Sequence, residues 1–168
     1  MDQCQRPEPP ISGTEKEMLS GFLGFLRGTI LCKVDGLSDE DLRRPHDPSG
    51  MTLLGLVKHL TDVERSWFRE TFMGEDLLAL WDDDDPGRYW RIEPEDTTDA
   101  IIAGYLSEID QANDIIARHI LDDVVRAPRL NREGMQLRWI VTHMIEETAR
   151  HCGHADFMRE AIDGQVGE

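Results

Sequence analysis

Apolar positions recur along this chain every three to four residues, the spacing of helices that bury one face. Met18, Leu19, Phe22, Leu23, Phe25, Leu26, Ile30 and Leu31 predict a first helix over Glu15 to about Val34. Gly21, Gly24 and Gly28 lower its intrinsic propensity, so tertiary packing must hold it. In "GLSDEDLRR", Ser38 is placed to cap a short turn, with Asp41 three residues on. Leu53, Leu56, Val57, Leu60, Val63 and Trp67 predict a second helix, capped by Ser49 or Thr52 and running to about Met73. A third follows from about Thr98 to His119 on Ile101, Ile102, Tyr105, Leu106, Ile109, Ala112, Ile115 and Ile116. A fourth runs from about Met135 to Ile162, with Asp163–Gly164 as its stop. Nothing alternates convincingly as strands do. Four long amphipathic helices predict an all-α four-helix bundle.

Between the second and third helices lies "GEDLLALWDDDDPGRYWRIEPED", Gly74 to Asp96. It is too long and too aromatic for a plain tether, and reads either as a lid or as a packed excursion. The run Asp82 to Asp85 lacks EF-hand spacing and reads as solvated surface.

At 168 residues the chain suits one domain, 1–168, with residues 1–13 as an extended tail. A net charge of -16 speaks against nucleic-acid binding, which needs clustered Lys and Arg, and against an anionic membrane surface. Cys4, Cys32 and Cys152 form no CxxC pair, so neither a disulfide framework nor a thiolate zinc knuckle is visible. The N-terminus carries no apolar signal core, and no stretch has the length of a membrane span. A reduced, cytoplasmic protein is expected.

The chemistry concentrates in "THMIEETARHCGHADF", Thr142 to Phe157, which holds three of the six histidines. With about 100° per residue, Leu137, Ile140, Met144, Ala155, Met158 and Ile162 define the buried face of the fourth helix. His151 lies about 20° from its centre and Glu147 about 60°, both inside the apolar stripe. His143 and His154 fall on the margin, and Glu146 points away. A carboxylate facing a core costs several kcal/mol unless it is paired or bound to a metal. Two readings therefore stand: a metal site, or a Glu–His hydrogen bond in a wet pocket. A catalytic zinc site commonly takes three N/O ligands, which requires a third from elsewhere. His46, His59 and His119 remain; His59, at the edge of the second helix's stripe, can reach across a seam but is not singled out by geometry.

Sharper motifs fail. His143 begins no H-E-x-x-H, and Glu147 is followed three residues later by Arg150 rather than His. No nucleophile elbow, Walker loop or Rossmann glycine pattern is present. Cys152, beside His151, reads as an incidental buried thiol rather than half of a dyad.

Two stretches carry a resemblance: "GLVKHLTDVERSWF", Gly55 to Phe68, and "LRWIVTHMIEETARHCGHADFMREAIDG", Leu137 to Gly164. Together they resemble the second and fourth helices of the DinB-like four-helix metalloproteins, and the likeness runs from the first helix to Gly164. Many of that group hold a metal with three histidines; here Glu147 stands one turn before His151. The chain thus looks like the branch that includes mycothiol-dependent maleylpyruvate isomerase, with two histidines and one glutamate. Carried over, the resemblance implies His59, Glu147 and His151 as ligands of one divalent metal ion, zinc first, with nickel, iron or manganese as alternatives. It also implies a small-molecule thiol such as mycothiol, an electrophilic substrate, and a homodimer. Cys152, Gly153 and His154 stand where the group often has Arg-Gly-Gln, leaving His154 either a neighbour of the ligands or an edge histidine.

The expected activity is a metal-dependent thiol S-transferase or thiol-assisted isomerase. A metal-dependent hydrolase is one alternative, although no general base is evident. The other is a non-catalytic, metal-stabilised bundle for assembly or stress response, with His143 or His154 closing the coordination sphere. Trp67, Trp139, Trp81, Tyr89 and Trp90 are candidates for pocket walls or for packing. Arg138 and Arg150 are candidates for holding an acidic substrate or for surface salt bridges.

Overall fold

The computed structural model describes residues 6–46, 48–77, 84–85, 87–126 and 133–167. Its helices are α1 (Glu15–Val34), α2 (Asp39–Leu42), α3 (Leu53–Glu64), a π-helical continuation of α3 (Arg65–Phe72), α4 (Thr98–Arg118) and α5 (Leu137–Asp163). Among the described residues only isolated bridges, His46 with Met51 and Val124 with Gln136, interrupt an all-α architecture. α1 packs along α5 and α3 along α4, while α3 also meets α5. None of the described helices is long and apolar enough to cross a membrane.

The caps follow the local sequence. Thr14 and Glu17 close a full capping box on α1. Ser38 accepts from the Asp41 amide at the start of α2, and Thr52, rather than Ser49, caps α3 by accepting from the Gly55 amide. α5 ends where Gly164 takes a left-handed φ of 80°. The second helix differs from expectation beyond Glu64, where it widens into a π turn. Trp67 stays at its margin, and Phe68 and Phe72 become the buried residues. The 3.6-residue stripe fits this helix only as far as Val63 because i→i+5 bonding changes the angular step.

The glycines of α1 have a packing reason. Residues 6–13 run along this helix, and a Cβ on Gly21 would sit 2.2 Å from Pro10 Cδ. One on Gly28 would sit 3.0 Å from Arg6 Cβ. Arg6 itself donates to Thr29 Oγ1 at 3.0 Å and lies over the Phe25 ring. The expectation of reduced cysteines is corrected here: Cys32 on α1 is disulfide-bonded. Chain spacing carried no sign of it, because no CxxC pair or other local cysteine motif marks the bond. Cys4 and Trp81 also lie outside the described residues.

The core has two apolar halves. One gathers Ile30, Val34, Leu53, Leu56, Leu60, Tyr105, Ala155 and Met158; the other gathers Leu23, Phe68, Phe72, Ala112, Ile116, Leu137, Ile140 and Met144. Polar residues fall between them on every long helix. Arg27 lies between Leu23 and Ile30, Glu64 between Leu60 and Phe68, and Thr148 and His151 between Met144 and Ala155. Arg27 and Glu64 are 3 % and 1 % exposed. Burial pushes the Glu64 carboxyl upward, and the facing guanidinium works against that push.

Candidate metal centre

α3 and α5 bring His59, Glu147 and His151 to one seam. His59 Nε2 lies 3.4 Å from Glu147 Oε1, and His151 Nε2 lies 3.2 Å from the same oxygen. One ligand atom from each residue falls within 4.8 Å of the others, so the group could hold a metal ion. Ligands about 2 Å from a tetrahedral zinc stand about 3.3 Å apart, so the two Glu147 separations fit an ion of that size. His151 is the most buried of the three; Glu147 keeps 16 % exposure and His59 12 %.

The electrostatics suit the same donor set. Hydrogen bonds from His151, then from His59, hold the Glu147 carboxyl far below the usual carboxylate range, against the opposing effect of burial. Burial lowers His59, with the Glu147 bond acting the other way. Near neutral pH the cluster thus presents a carboxylate and a neutral imidazole, the forms a divalent ion needs.

The surroundings of the two imidazoles differ. His151 Nδ1 lies 3.2 Å from His154 Nδ1. His154, lowered first by burial and then by the charge of His151, is suited to accept that proton as a neutral ring. Among the described residues, His59 Nδ1 has no hydrogen-bond partner although it is buried. His59 instead stacks on Trp90, with ring centroids 3.9 Å apart and planes 12° from parallel. Trp90 also reaches the His151 ring at 5.4 Å, and Tyr89 reaches His59 at 5.3 Å.

Trp90 stands over the site because the segment after Arg88 packs on α3. Lys58 Nζ donates to Arg91 O at 2.9 Å and pairs with Asp96 at 2.6 Å. Gly55 lets the Trp90 carbonyl approach; a Cβ there would sit 2.4 Å from that oxygen. This part of the Gly74–Asp96 loop is therefore a packed cover. Asp84 and Asp85 belong to it, with Asp85 pairing Arg91 at 2.6 Å; Asp82 and Asp83 lie outside the described residues.

The remaining candidates stand apart from the cluster. His46 sits in the bridge with Met51, and His119 pairs with Asp123 at 2.8 Å. His143 is 3.5 Å from Glu146 and stacks on Trp139, with Trp67 edge-on at 4.7 Å. Arg138 bridges Glu15 and Asp122. Arg150 pairs with Glu146 and comes within 3.9 Å of Glu147. Cys152 is a buried thiol pushed up to about 12, first by burial and then by Asp156. Sequence reasoning missed the Trp90 stack and the Gly55 gap that admits it. A glycine one turn before a histidine in a helix was the available sign.

A helical bundle whose seam gathers two histidines and a glutamate defines a DinB-like protein. Within that class, the family model described as mycothiol-S-transferase matches residues 18–164, and the chain belongs to that family. The comparison with curated proteins finds no match.

Proposed function

We propose that this chain is a cytoplasmic, metal-dependent thiol S-transferase, with a thiol-assisted isomerase as the closely related form. Its single helical domain, 1–168, would hold one divalent ion, zinc first, on His59, Glu147 and His151. The observation that carries the reading is the convergence of these three side chains on one ion-sized position in a chain of the mycothiol-S-transferase family. Such an ion supplies Lewis-acid chemistry, lowering the pKa of a thiol so that the thiolate is the nucleophile.

The protein's own groups do the rest. Glu147 contributes the negative charge, and burial favours the neutral form of His59 beside it. Trp90 and Tyr89 pack against the His59 ring and form one wall of the site. With three protein donors, the ion would have room for the thiol of a small molecule such as mycothiol and would favour its ionisation, the proton passing to solvent. In the transfer, the sulfur would form its bond to an electrophilic carbon as that carbon's leaving group departs with the bonding electron pair.

The saturated, purely structural site has less support. His154 is turned onto His151 and His143 is held by Glu146 and Trp139, so neither points its ring to the cluster as a fourth donor.

The test begins with metal content, measured by mass spectrometry on tag-free protein beside a Glu147→Ala, His151→Ala variant purified identically. Near-stoichiometric metal in the parent and none in the variant is expected. The loaded parent is then given mycothiol with bromobimane or chlorodinitrobenzene, and conjugate formation is followed. Parent protein that stays metal-free after incubation with zinc, nickel, iron or manganese would sink the reading.

A further inference from the structure

We propose that Trp90 is a positioning residue: its indole, stacked on His59, holds that imidazole for coordination where a hydrogen bond ordinarily would. The inference rests on the metal-site reading above and adds to it a residue that lies on no helix of the bundle.

A ligating histidine almost always donates its second ring N–H to a carboxylate, a carbonyl or a water, and that bond sets the tautomer and the ring plane. His151 follows the rule through His154 Nδ1 at 3.2 Å. His59 does not, because its buried Nδ1 meets no partner among the described residues. Without one, the ring is free to turn about its Cβ–Cγ bond, and Nε2 loses its aim at the seam. Trp90 removes that freedom. At 3.9 Å between centroids and 12° between planes, any large rotation of the imidazole drives its edge into the indole face.

The stack is fixed to the helix that carries the ligand. Gly55 is one turn before His59, and its missing side chain admits the Trp90 carbonyl. Lys58, the residue before His59, binds the Arg91 carbonyl and Asp96. Arg91 is tied back to Asp85 and Glu93 within the same segment. Contacts at two successive turns of α3, at Gly55 and at Lys58, therefore set the indole relative to His59. The arrangement also acts on charge. Coordination draws electron density from an imidazole, and the electron-rich face of an indole stabilises a positive ring above it. Trp90 therefore favours the ion-bound form of His59 over the free one.

The test uses the full chain and cobalt(II), which reports coordination by visible absorption without any turnover. Parent, Trp90→Phe, Trp90→Leu and Trp90→Ala are titrated, and each is first checked for folding by circular dichroism. Trp90→Phe keeps a ring on His59, whereas Trp90→Leu fills much of the space without one. The expected result is a cobalt Kd within about threefold of the parent for Phe, and weakened about tenfold for Leu and Ala, with altered visible bands. In the parent, cobalt should quench tryptophan emission, and Trp90→Phe should lose much of that quenching while still binding. Equal affinity and identical spectra for Phe and Leu overturn the positioning role and leave the metal site standing. A parent that binds no cobalt overturns the metal site itself, and the Trp90 role with it.

Discussion

Arg27 and Glu64 meet as a bidentate ion pair, with both contacts at 2.6 Å, between the two apolar halves of the core. Arg27 spends a further donor on Asn113 Oδ1 at 2.9 Å, so α1, α3 and α4 are joined through one guanidinium. Removing one member of such a pair strands a charge in the interior, at a cost of about 3–5 kcal/mol. Glu64→Ala is therefore expected to lose stability on that order in urea unfolding. The paired change Arg27→Met with Glu64→Leu should recover most of it. A Glu64→Ala protein that unfolds at the parent's urea midpoint would show that the pair contributes nothing net.

Gly55 and Gly104 give opposite expectations for the same substitution. A Cβ on Gly55 meets the Trp90 carbonyl and Thr52 Oγ1 at 2.4 and 2.9 Å. Overpacking of this kind costs about 1–3 kcal/mol, and it should lift the residues around Trp90 from α3. On Gly104, inside α4, the nearest neighbour is Thr61 Cγ2 at 3.8 Å. Gly104→Ala should gain about 0.5–1 kcal/mol from helix propensity alone. Thermal melts of the two variants, with limited proteolysis between residues 84 and 96, check both. A Gly55→Ala protein as stable and as protease-resistant as the parent removes the argument for the close approach.

The helices were legible because their apolar spacing is long and regular, and the wheel for α5 placed His151 and Glu147 inside and Glu146 outside; His151 is buried and Glu146 exposed, while Glu147 keeps 16 % exposure. His59 was different. It sits at the rim of its stripe, where one helix cannot say which neighbour it faces, and only the family resemblance selected it. Arg27 and Glu64 carried the same sign as Glu147, a charge set among apolar residues one turn either side, yet were not singled out from the sequence. The Trp90 stack left only Gly55 as a sign, since a loop has no period and its contacts are set by where α3 happens to pass. Wheels report the face of one helix; seams and covers depend on a second element.

His154 should act on metal binding through His151. Its Nδ1 is the partner of His151 Nδ1, so His154→Ala leaves that N–H without an acceptor. Loss of such an outer partner typically weakens metal affinity 10- to 100-fold. Zinc competition against a chromogenic chelator should show a loss of about tenfold or more, with the circular dichroism spectrum unchanged. His143→Ala, which removes contacts to Trp67, Trp139 and Glu146 away from the cluster, should leave the zinc Kd near that of the parent.

Cys152 should be slow toward alkylating agents in the folded protein. Held at about 12, the thiol is ionised to roughly one part in ten thousand at pH 8. Its sulfur is also turned inward, toward the Leu26 carbonyl at 3.5 Å. Iodoacetamide labelling followed by peptide mass spectrometry should show little modification of Cys152 over an hour in buffer and rapid modification in urea. Fast native labelling would mean that α1 and α5 separate far more readily than their packing implies.

Acid should destabilise the metal-free protein in two stages, and the signs follow from the two shifts. His59 is lowered from its ordinary 6.5, so the unfolded chain takes up that proton first. Stability tied to neutral His59 is whole above about pH 6.5 and declines as the pH falls below it. Glu147 is also lowered, from 4.5. Its contribution is present above that value and is lost progressively at lower pH, where protons bind the unfolded carboxylate in preference to the folded one. Urea midpoints measured from pH 8 to pH 4 should therefore bend downward near 6.5 and steepen below about 4.5. His59→Gln should remove the first bend, and Glu147→Gln should soften the second. With saturating zinc, both bends should be joined by loss of the ion, because protons and metal compete for the same ring nitrogens and the same carboxylate. A midpoint that is flat from pH 7 to pH 5 in the metal-free parent would mean that His59 is not held neutral by its burial.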